Sequence, residues 1–299
     1  MTGASTVRAA LFQMTTGIDP AVSAARLVQA VAEARAGGAA MLFTPEMSGI
    51  IDRDRARGGP RIVDEARDPV LAAVREAAAR EGIWVHLGSL AVRPEAGDGR
   101  CANRAFVIDD SGAIRARYDK IHMFDVDLAS GESWRESNAY APGDTPTVVD
   151  TPLGRLGLAI CYDIRFPALF EALGREKCDV IAIPAAFTVP TGRAHWHLLQ
   201  RARAVEASAF VLSAAQVGLH EDGRETYGHS LAIDPWGEVL LDMGGAEWPA
   251  ADAPAEHAGA AKSRLGFVTI DHARLAQVRA QVPSLSNRRT LARTRVIAK

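Results

Sequence analysis

The chain has 299 residues, of which 34 are Lys or Arg and 36 are Asp or Glu, so its formal net charge is −2. This balance gives no reason to expect nucleic acid or an anionic membrane as a partner, and no apolar run approaches the length of a membrane span. Three cysteines, Cys101, Cys161 and Cys178, form an odd number without a CxxC pair, which argues against a disulfide framework or zinc ribbon and favours a reducing, cytoplasmic location.

Strands and helices alternate along the N-terminal half. Apolar runs predict strands over residues 9–14, 39–44, 83–92, 103–108 and 113–118. Asp19-Pro20 and Asp68-Pro69 each supply an N-cap and a first-turn proline, which predicts one helix ending at Gly37 and another ending at Arg80. The polar, glycine-rich stretch over residues 48–60 predicts a mobile loop.

The same alternation continues through the C-terminal half. Strands are predicted over residues 156–160, 180–185, 209–217 and 267–270, a hairpin over 230–242, and helices over 167–177, 192–208 and about 271–282. Residues 243–262 are rich in Ala, Gly, Pro and Glu and predict a disordered or inserted loop. We expect one domain over residues 1–299, with sheets covered by helices and a basic tail from about 283 to 299 at a dimer interface.

Cys161 stands at the end of a predicted buried strand, just before a helix opened by Pro167. A thiol there is held by rigid backbone and lies near free N–H groups, as a nucleophile requires. The alternative is an ordinary core cysteine, because free cysteines are among the most buried residues.

Glu46 and Lys120 occupy comparable places, each following a predicted strand. A carboxylate, an ammonium and a thiol that meet at strand ends suit acyl transfer. The carboxylate takes the thiol proton and later returns it to the leaving amine, and the ammonium stabilises the oxyanion. Taken singly, Glu46 could satisfy a loop or helix end and Lys120 could be a solvated surface charge.

The segments TPEMSG, YDKIHMFD and LAICYDIRFP resemble, in order and spacing, the Glu–Lys–Cys motifs of the nitrilase superfamily of carbon–nitrogen hydrolases. The resemblance covers residues 7–289. It implies an α/β fold of the four-layer α-β-β-α sandwich type, usually dimeric. It also implies hydrolysis of a non-peptide C–N bond of a small-molecule amide, without metal or cofactor.

The resemblance also implies a role for each matching residue. Glu46 matches the general base, Lys120 the oxyanion-stabilising lysine and Cys161 the nucleophile, and the backbone N–H of Tyr162 falls where the oxyanion hole is completed. Glu136 resembles an additional glutamate that holds the lysine, with the nearby Glu132 as the alternative.

The downstream segment RETYGHSLAIDPWGEV resembles the amidase branch that includes deaminated-glutathione amidase and ω-amidase. An anionic substrate of that kind favours a cation near the thiol, for which Arg165 is the candidate; the alternative is a buried ion pair between Arg165 and Asp163. The resemblance leaves an ω-amidase, an N-carbamoyl-amine hydrolase and a non-catalytic binding protein on the same fold as alternatives.

His195 and His197 do not form a metal pair in this interpretation. Residues two apart on a helix point in different directions, so we expect packing or rim positions for both side chains.

Overall fold

The computed structural model describes residues 6–127, 131, 133–246 and 264–297. Its strands are β1 (Thr6–Gln13), β2 (Met41–Phe43), β3 (Trp84–Val92), β4 (Ala102–Ile108), β5 (Ile114–Asp119), β6 (Asp125–Asp127), β7 (Ser133–Arg135), β8 (Val148–Thr151), β9 (Gly154–Leu158), β10 (Val180–Ala182), β11 (Phe210–Ser213), β12 (Val217–Leu219), β13 (Glu225–Tyr227), β14 (Leu231–Ile233), β15 (Val239–Asp242) and β16 (Arg264–Asp271). Its helices are α1 (Pro20–Ala36), α2 (Arg55–Gly58), α3 (Pro69–Glu81), α4 (Pro167–Arg175), α5 (Val189–Ala207) and α6 (His272–Gln281). No helix among these is long and apolar enough to cross a membrane.

The first sheet has the strand order β16-β1-β2-β3-β4-β5, with a parallel centre and antiparallel edges. Both of its faces are buried, because alternate residues of β1 enter different core clusters: Leu11 packs towards the second sheet and Ala10 towards α1 and α3. Asp19 and Asp68 cap these two helices as predicted, each accepting backbone N–H bonds in the first turn.

The second sheet has the order β15-β14-β11-β10-β9-β8, again with a parallel centre, β9-β10-β11. Its residues join those of α4 and α5 in one core with the inward-facing residues of the first sheet. Helices therefore cover the outer faces of two sheets that pack on each other, and the predicted four-layer α-β-β-α sandwich is confirmed.

Loops from the two sheets meet at one end of the molecule. β2 and β5 run in the same direction, so the segments that carry Glu46 and Lys120 leave the first sheet at the same end. Gly88 permits this crowding at the bulge of β3, because a Cβ there would lie 2.0 Å from the carbonyl oxygen of Thr44. A parallel bridge between Met14 and Gln216 links the two halves of the molecule at this end.

Several segments differ from the sequence-based expectation. Residues 48–60 contain the short helix α2 and the start of a 3-10 turn instead of an entirely irregular loop. The predicted strand over 209–217 ends at Ser213, and β12 pairs with β13 in a separate two-stranded sheet. Of the predicted loop over 243–262, residues 247–262 lie outside the described residues.

Candidate active site

Cys161 opens a 3-10 turn, Cys161–Arg165, three residues after the end of β9. Its φ of 48° lies in the left-handed region, which a residue with a side chain adopts only at an energetic cost. The backbone N–H of Cys161 donates to the carbonyl of Pro184 at 2.9 Å, which holds the residue in this conformation. The thiol is thus placed by a sharp strand-to-turn transition, and 7% of the residue is exposed.

Asp163 links this turn to the residues on either side of Lys120. One carboxylate oxygen accepts hydrogen bonds from the Ile160 N–H at 2.9 Å and the Tyr118 hydroxyl at 2.7 Å. The other accepts from the backbone N–H of His122 at 3.0 Å and lies 2.7 Å from His122 Nδ1. Because Tyr118 and His122 flank Lys120, this buried carboxylate fixes the ammonium relative to the thiol.

Glu46 lies at the centre of the site. Its Oε1 accepts hydrogen bonds from Lys120 Nζ at 3.0 Å and from Asn103 Nδ2 at 2.9 Å, and its Oε2 accepts from the Ala186 N–H at 2.8 Å. The Cys161 thiol is close enough to this carboxylate for each group to shift the pKa of the other. The carboxylate therefore interacts with both the sulfur and the ammonium.

Glu136 occupies the far side of Lys120. Its two oxygens lie 3.0 and 2.9 Å from Lys120 Nζ, and it also accepts from Asn103 Nδ2 at 3.3 Å and from the Phe124 N–H at 2.6 Å. We call Glu46, Lys120, Glu136 and Asn103 the buried network. Glu132, the alternative to Glu136, lies outside the described residues.

The electrostatics of the network follow from burial and pairing. Burial alone would raise the pKa of Glu46, but the Lys120 charge and hydrogen bonds from Cys161, Lys120 and Asn103 hold it below its ordinary value. Burial opposes the charge on Lys120, yet the carboxylates of Glu136 and Glu46 raise its pKa. Burial, followed by the Glu46 charge, raises the pKa of the Cys161 thiol. The site therefore holds a neutral thiol beside an ionised carboxylate, as required for proton transfer from sulfur to oxygen during nucleophilic attack.

A pocket of about 570 Å³ opens onto these groups. Cys161, Glu46, Lys120 and Glu136 all line it, as does Tyr162, the residue after the thiol. Six arginines of the described chain also line it: Arg53, Arg55, Arg93, Arg100, Arg135 and Arg224. The chemistry thus lies at the base of a pocket with a cationic wall, which suits an anionic small molecule.

The structure places Arg165 beside this pocket and outside its lining. Its guanidinium carbon lies 5.7 Å from the ring centroid of Tyr162 and 5.5 Å from that of Phe187, and its terminal nitrogens lie 3.4 and 3.3 Å from His195 Nδ1. Asp163, the alternative partner, is bonded to Tyr118 and His122 instead. Contact between Arg165 and a substrate stays a prediction.

Sequence reasoning missed three contributors to the site. Asn103 donates to both carboxylates, the Ala186 N–H holds Glu46, and Gln216 Nε2 donates to the Glu46 carbonyl at 2.9 Å. The one available signal was the asparagine that begins the predicted strand over residues 103–108, because a buried amide needs hydrogen-bond partners.

Two further groups of the described chain are of chemical interest. His197 and His229 contact Asp242 at 2.9 Å each, and these three side chains could hold a metal ion, although they also satisfy one another and do not line the pocket. Cys178 is a buried core residue, whereas Cys101 lines the pocket.

The family model described as carbon-nitrogen hydrolase matches residues 8–279 of this chain. A deaminated glutathione amidase from Yersinia enterocolitica is 40% identical over 232 residues, covering 77% of this chain and 80% of the relative. A protein of the same name from Dictyostelium discoideum is 38% identical over 200 residues, covering 66% of this chain and 68% of the relative.

Solved structures resemble the whole fold. The Caenorhabditis elegans NitFhit protein superimposes with a TM-score of 0.83 at 32% identity, covering 95% of this chain and 65% of that one. Saccharomyces cerevisiae Nit3, a member of the nitrilase superfamily, gives a TM-score of 0.78 at 22% identity, covering 95% of this chain and 97% of that one. The second similarity supports the fold alone.

Proposed function

Because this chain belongs to the carbon–nitrogen hydrolase family, we propose that it is an amidase that works through Cys161, Glu46 and Lys120. The observation that supports this most directly is the Glu46 carboxylate, which accepts a hydrogen bond from the ammonium and lines one pocket with the thiol. Such an arrangement supplies a nucleophile, a base and a positive charge without any other group.

The first half of the reaction forms a thioester. As Cys161 Sγ attacks the amide carbonyl, Glu46 takes the thiol proton, and the charge that develops on the carbonyl oxygen is stabilised by Lys120 and the backbone N–H of Tyr162. Collapse of the tetrahedral intermediate breaks the C–N bond. The protonated Glu46 transfers its proton to the departing nitrogen, which leaves as ammonia or an amine.

The second half regenerates the enzyme. Glu46, now ionised again, takes a proton from a water molecule as that water attacks the thioester carbonyl, and Lys120 and Tyr162 again stabilise the oxyanion. When the C–S bond breaks, the sulfur recovers the proton held by Glu46, and the carboxylic acid product leaves. Glu136 and Asn103 hold Lys120 and Glu46 in position throughout.

Deaminated glutathione is the substrate that we propose. Relatives of about 40% identity carry its name, and the arginine-lined pocket matches an anionic amide. Hydrolysis would give 2-oxoglutarate and cysteinylglycine. The same acyl group with ammonia as the leaving group would make the protein an ω-amidase, and an N-carbamoyl amine would make it a carbamoyl-amine hydrolase.

A panel of amides tests this proposal. We expect deaminated glutathione to be turned over faster than simple short-chain amides, with cysteinylglycine as a product. Release of ammonia from 2-oxoglutaramate as the faster reaction would favour the ω-amidase, and release from N-carbamoyl amines would favour the carbamoyl-amine hydrolase. No turnover of any amide, with the fold intact by circular dichroism, would indicate a binding protein and contradict the proposal.

Arg165 is tested in the same panel. If it attracts the acyl end of the substrate, Arg165→Gln raises KM for deaminated glutathione and leaves KM for a neutral short-chain amide unchanged. An equal change for both substrates would assign Arg165 to packing against Tyr162 and Phe187.

We further propose a single-domain, cytoplasmic homodimer with the tail at its interface. The tail is anchored by Arg288, which donates to the carbonyls of Glu171 at 2.8 Å and Glu206 at 2.9 Å. Beyond Arg288, Leu291 and Ile297 are 89% and 84% exposed, so neither side chain packs against the rest of its own chain. Sedimentation of the full chain should show a dimer that Leu291→Asp weakens. Val22→Asp is the control, because Val22 lies on the exposed face of α1, and it should leave the dimer unchanged. A monomeric wild type would contradict the proposal.

A further inference from the structure

One wall of the pocket carries two arginines that flank a tryptophan. The guanidinium carbons of Arg53 and Arg224 lie 5.2 and 4.9 Å from the centroid of the Trp134 ring. All three residues line the pocket, and we call them the arginine wall. The indole thus holds two cationic groups at the surface that a bound molecule meets.

The hydrogen-bonding capacity of this wall is largely unused. Arg224 Nε and Trp134 Nε1 are buried and have no hydrogen-bond partner among the residues that the structure describes. Among the described residues, Asp222 is the carboxylate that forms ion pairs with both guanidinium groups, at 4.0 Å from Arg53 and 3.7 Å from Arg224, which is beyond hydrogen-bonding distance. Both side chains keep accessible surface, 47% for Arg53 and 22% for Arg224, so their terminal nitrogens can reach a ligand in the pocket.

Other arginines of the same pocket differ in this respect. Arg93 donates to the carbonyls of Ile62 and Gly59 at 2.8 Å, and Arg135 contacts the Asp127 carboxylate at 2.8 and 2.9 Å. Arg100 donates to Asp98 at 2.8 Å. Their guanidinium groups are engaged within the protein, whereas those of the arginine wall face the pocket with donors to spare.

The arginine wall and Glu46 line the same pocket. Burial lowers the pKa of the Arg224 guanidinium, and the Glu46 carboxylate is close enough to act in the opposite direction. An isolated bridge between Thr188 and Thr226 fixes the adjoining strand β13 against the start of α5. In the proposed mechanism Glu46 protonates the departing nitrogen, so a leaving group that carries a carboxylate could place it against the wall.

We propose that Arg224 and Arg53, positioned over the Trp134 ring, bind a carboxylate on the amine portion of the substrate. This inference rests on the proposed amidase function and specifies its substrate class: amides of amino acids or short peptides that retain a free C-terminal carboxylate. A planar guanidinium binds a carboxylate through two parallel hydrogen bonds, which a carboxamide cannot reproduce because its NH₂ group would oppose a donor. Arg224 and Arg53 are therefore specificity-determining residues.

Three substrates with one acyl group test the inference: 2-oxoglutaramate, deaminated glutathione, and deaminated glutathione whose glycine carboxylate is replaced by a carboxamide. Wild type should prefer the carboxylate over the carboxamide by about 10- to 100-fold in kcat/KM, the value of hydrogen bonds to a charged group. Arg224→Gln should abolish that preference, mainly through KM, and leave turnover of 2-oxoglutaramate within about threefold, which also shows that the variant is folded.

Two further variants complete the design. Arg53→Gln should reduce the same preference, and because its side chain is 47% exposed this test does not depend on whether the partly buried Arg224 position tolerates substitution. Arg135→Gln is the matched control, since its side chain is 45% exposed and already bound to Asp127, and it should keep the full preference.

The possible outcomes separate the two proposals. An unchanged carboxylate preference in both Arg224→Gln and Arg53→Gln, or equal turnover of the carboxylate and the carboxamide by wild type, would overturn the subsite and leave the amidase function standing. Failure of wild type to hydrolyse any of the three substrates would overturn both.

Discussion

The two sides of the pocket satisfy their charges in opposite ways. In the buried network, Glu46, Lys120 and Glu136 meet within 3.0 Å, and Lys120 is 2% exposed. In the arginine wall, the Asp222 carboxylate lies 3.7 Å from Arg224. The network is thus arranged for chemistry before a ligand binds. The guanidinium groups of the wall instead retain hydrogen-bonding capacity for a ligand. A change in the network should affect every substrate, and a change in the wall should affect only those with a distal carboxylate.

The largest effect is expected from Cys161→Ala. Removing the nucleophile removes the thioester route, so turnover should fall by at least about 10⁴-fold for every amide. Steady-state kinetics would measure the loss, and mass spectrometry would show that iodoacetamide no longer modifies the pocket at this position. Cys101→Ala is the control, because its thiol lines the same pocket and should be dispensable. Normal turnover by Cys161→Ala would end the proposed mechanism.

Lys120→Met should follow, with a loss of about 10²–10³-fold in kcat from the missing oxyanion charge. The loss should be equal for 2-oxoglutaramate and for deaminated glutathione, since the network acts on the carbonyl that both share. Arg117→Met, which removes an exposed cation of the same strand β5, should leave kcat unchanged. A loss confined to deaminated glutathione would instead indicate that Lys120 recognises the amine portion of the substrate.

Asn103→Ala should give a smaller loss of about 10-fold. The amide positions Glu46 and Glu136 but donates no proton in the reaction, so only hydrogen bonds to charged groups are lost. Asn138→Ala is a matched control, because that amide lines the same pocket and neither carboxylate accepts from it within the described chain. No loss with Asn103→Ala, in kcat or in kcat/KM, would show that Lys120 alone holds the two carboxylates.

The pH dependence gives the smallest effect. The pKa of Glu46 lies below its ordinary 4.5, so its ionised form contributes stability and base function that are complete above pH 4.5 and are lost as pH falls through the lowered value. In Lys120→Met burial is no longer opposed by the ammonium, and the acid limb of kcat/KM should move to higher pH. A profile of kcat/KM against pH for both proteins measures this. Superimposable acid limbs would exclude Glu46 as the titrating base.

The prediction of the fold succeeded where local patterns decide structure. The Asp19 and Asp68 caps with their prolines define helix starts within a few residues, and two-faced burial gives continuous apolar runs for strands such as β2 and β9. The sequence did not predict the β12–β13 pair, because its strands are only three residues long. In addition, β12 is positioned by a distant contact, the hydrogen bond from the Val217 N–H to the Met14 carbonyl.

The predictions for the site show the same division. The family prediction is confirmed, and Glu46, Lys120, Cys161 and Glu136 converge in one pocket, although their roles stay predictions. The left-handed backbone of Cys161 depends on the Pro184 carbonyl, which no local pattern reveals. Proximity in sequence to the thiol indicated Arg165, whereas the guanidinium of Arg224 comes from a separate hairpin and its place in the pocket is apparent only in three dimensions.

The hydrogen bonds of Asp163 determine when the active site forms during folding. Its carboxylate belongs to the turn that follows the second sheet, and its partners Tyr118 and His122 belong to the end of the first. A nascent chain whose sheets have formed but not yet docked therefore carries its sulfur and its ammonium on separate bodies, and the cysteine is catalytically silent. Recovery of hydrolysis during refolding should then report the final docking of the two sheets, later than the return of secondary structure.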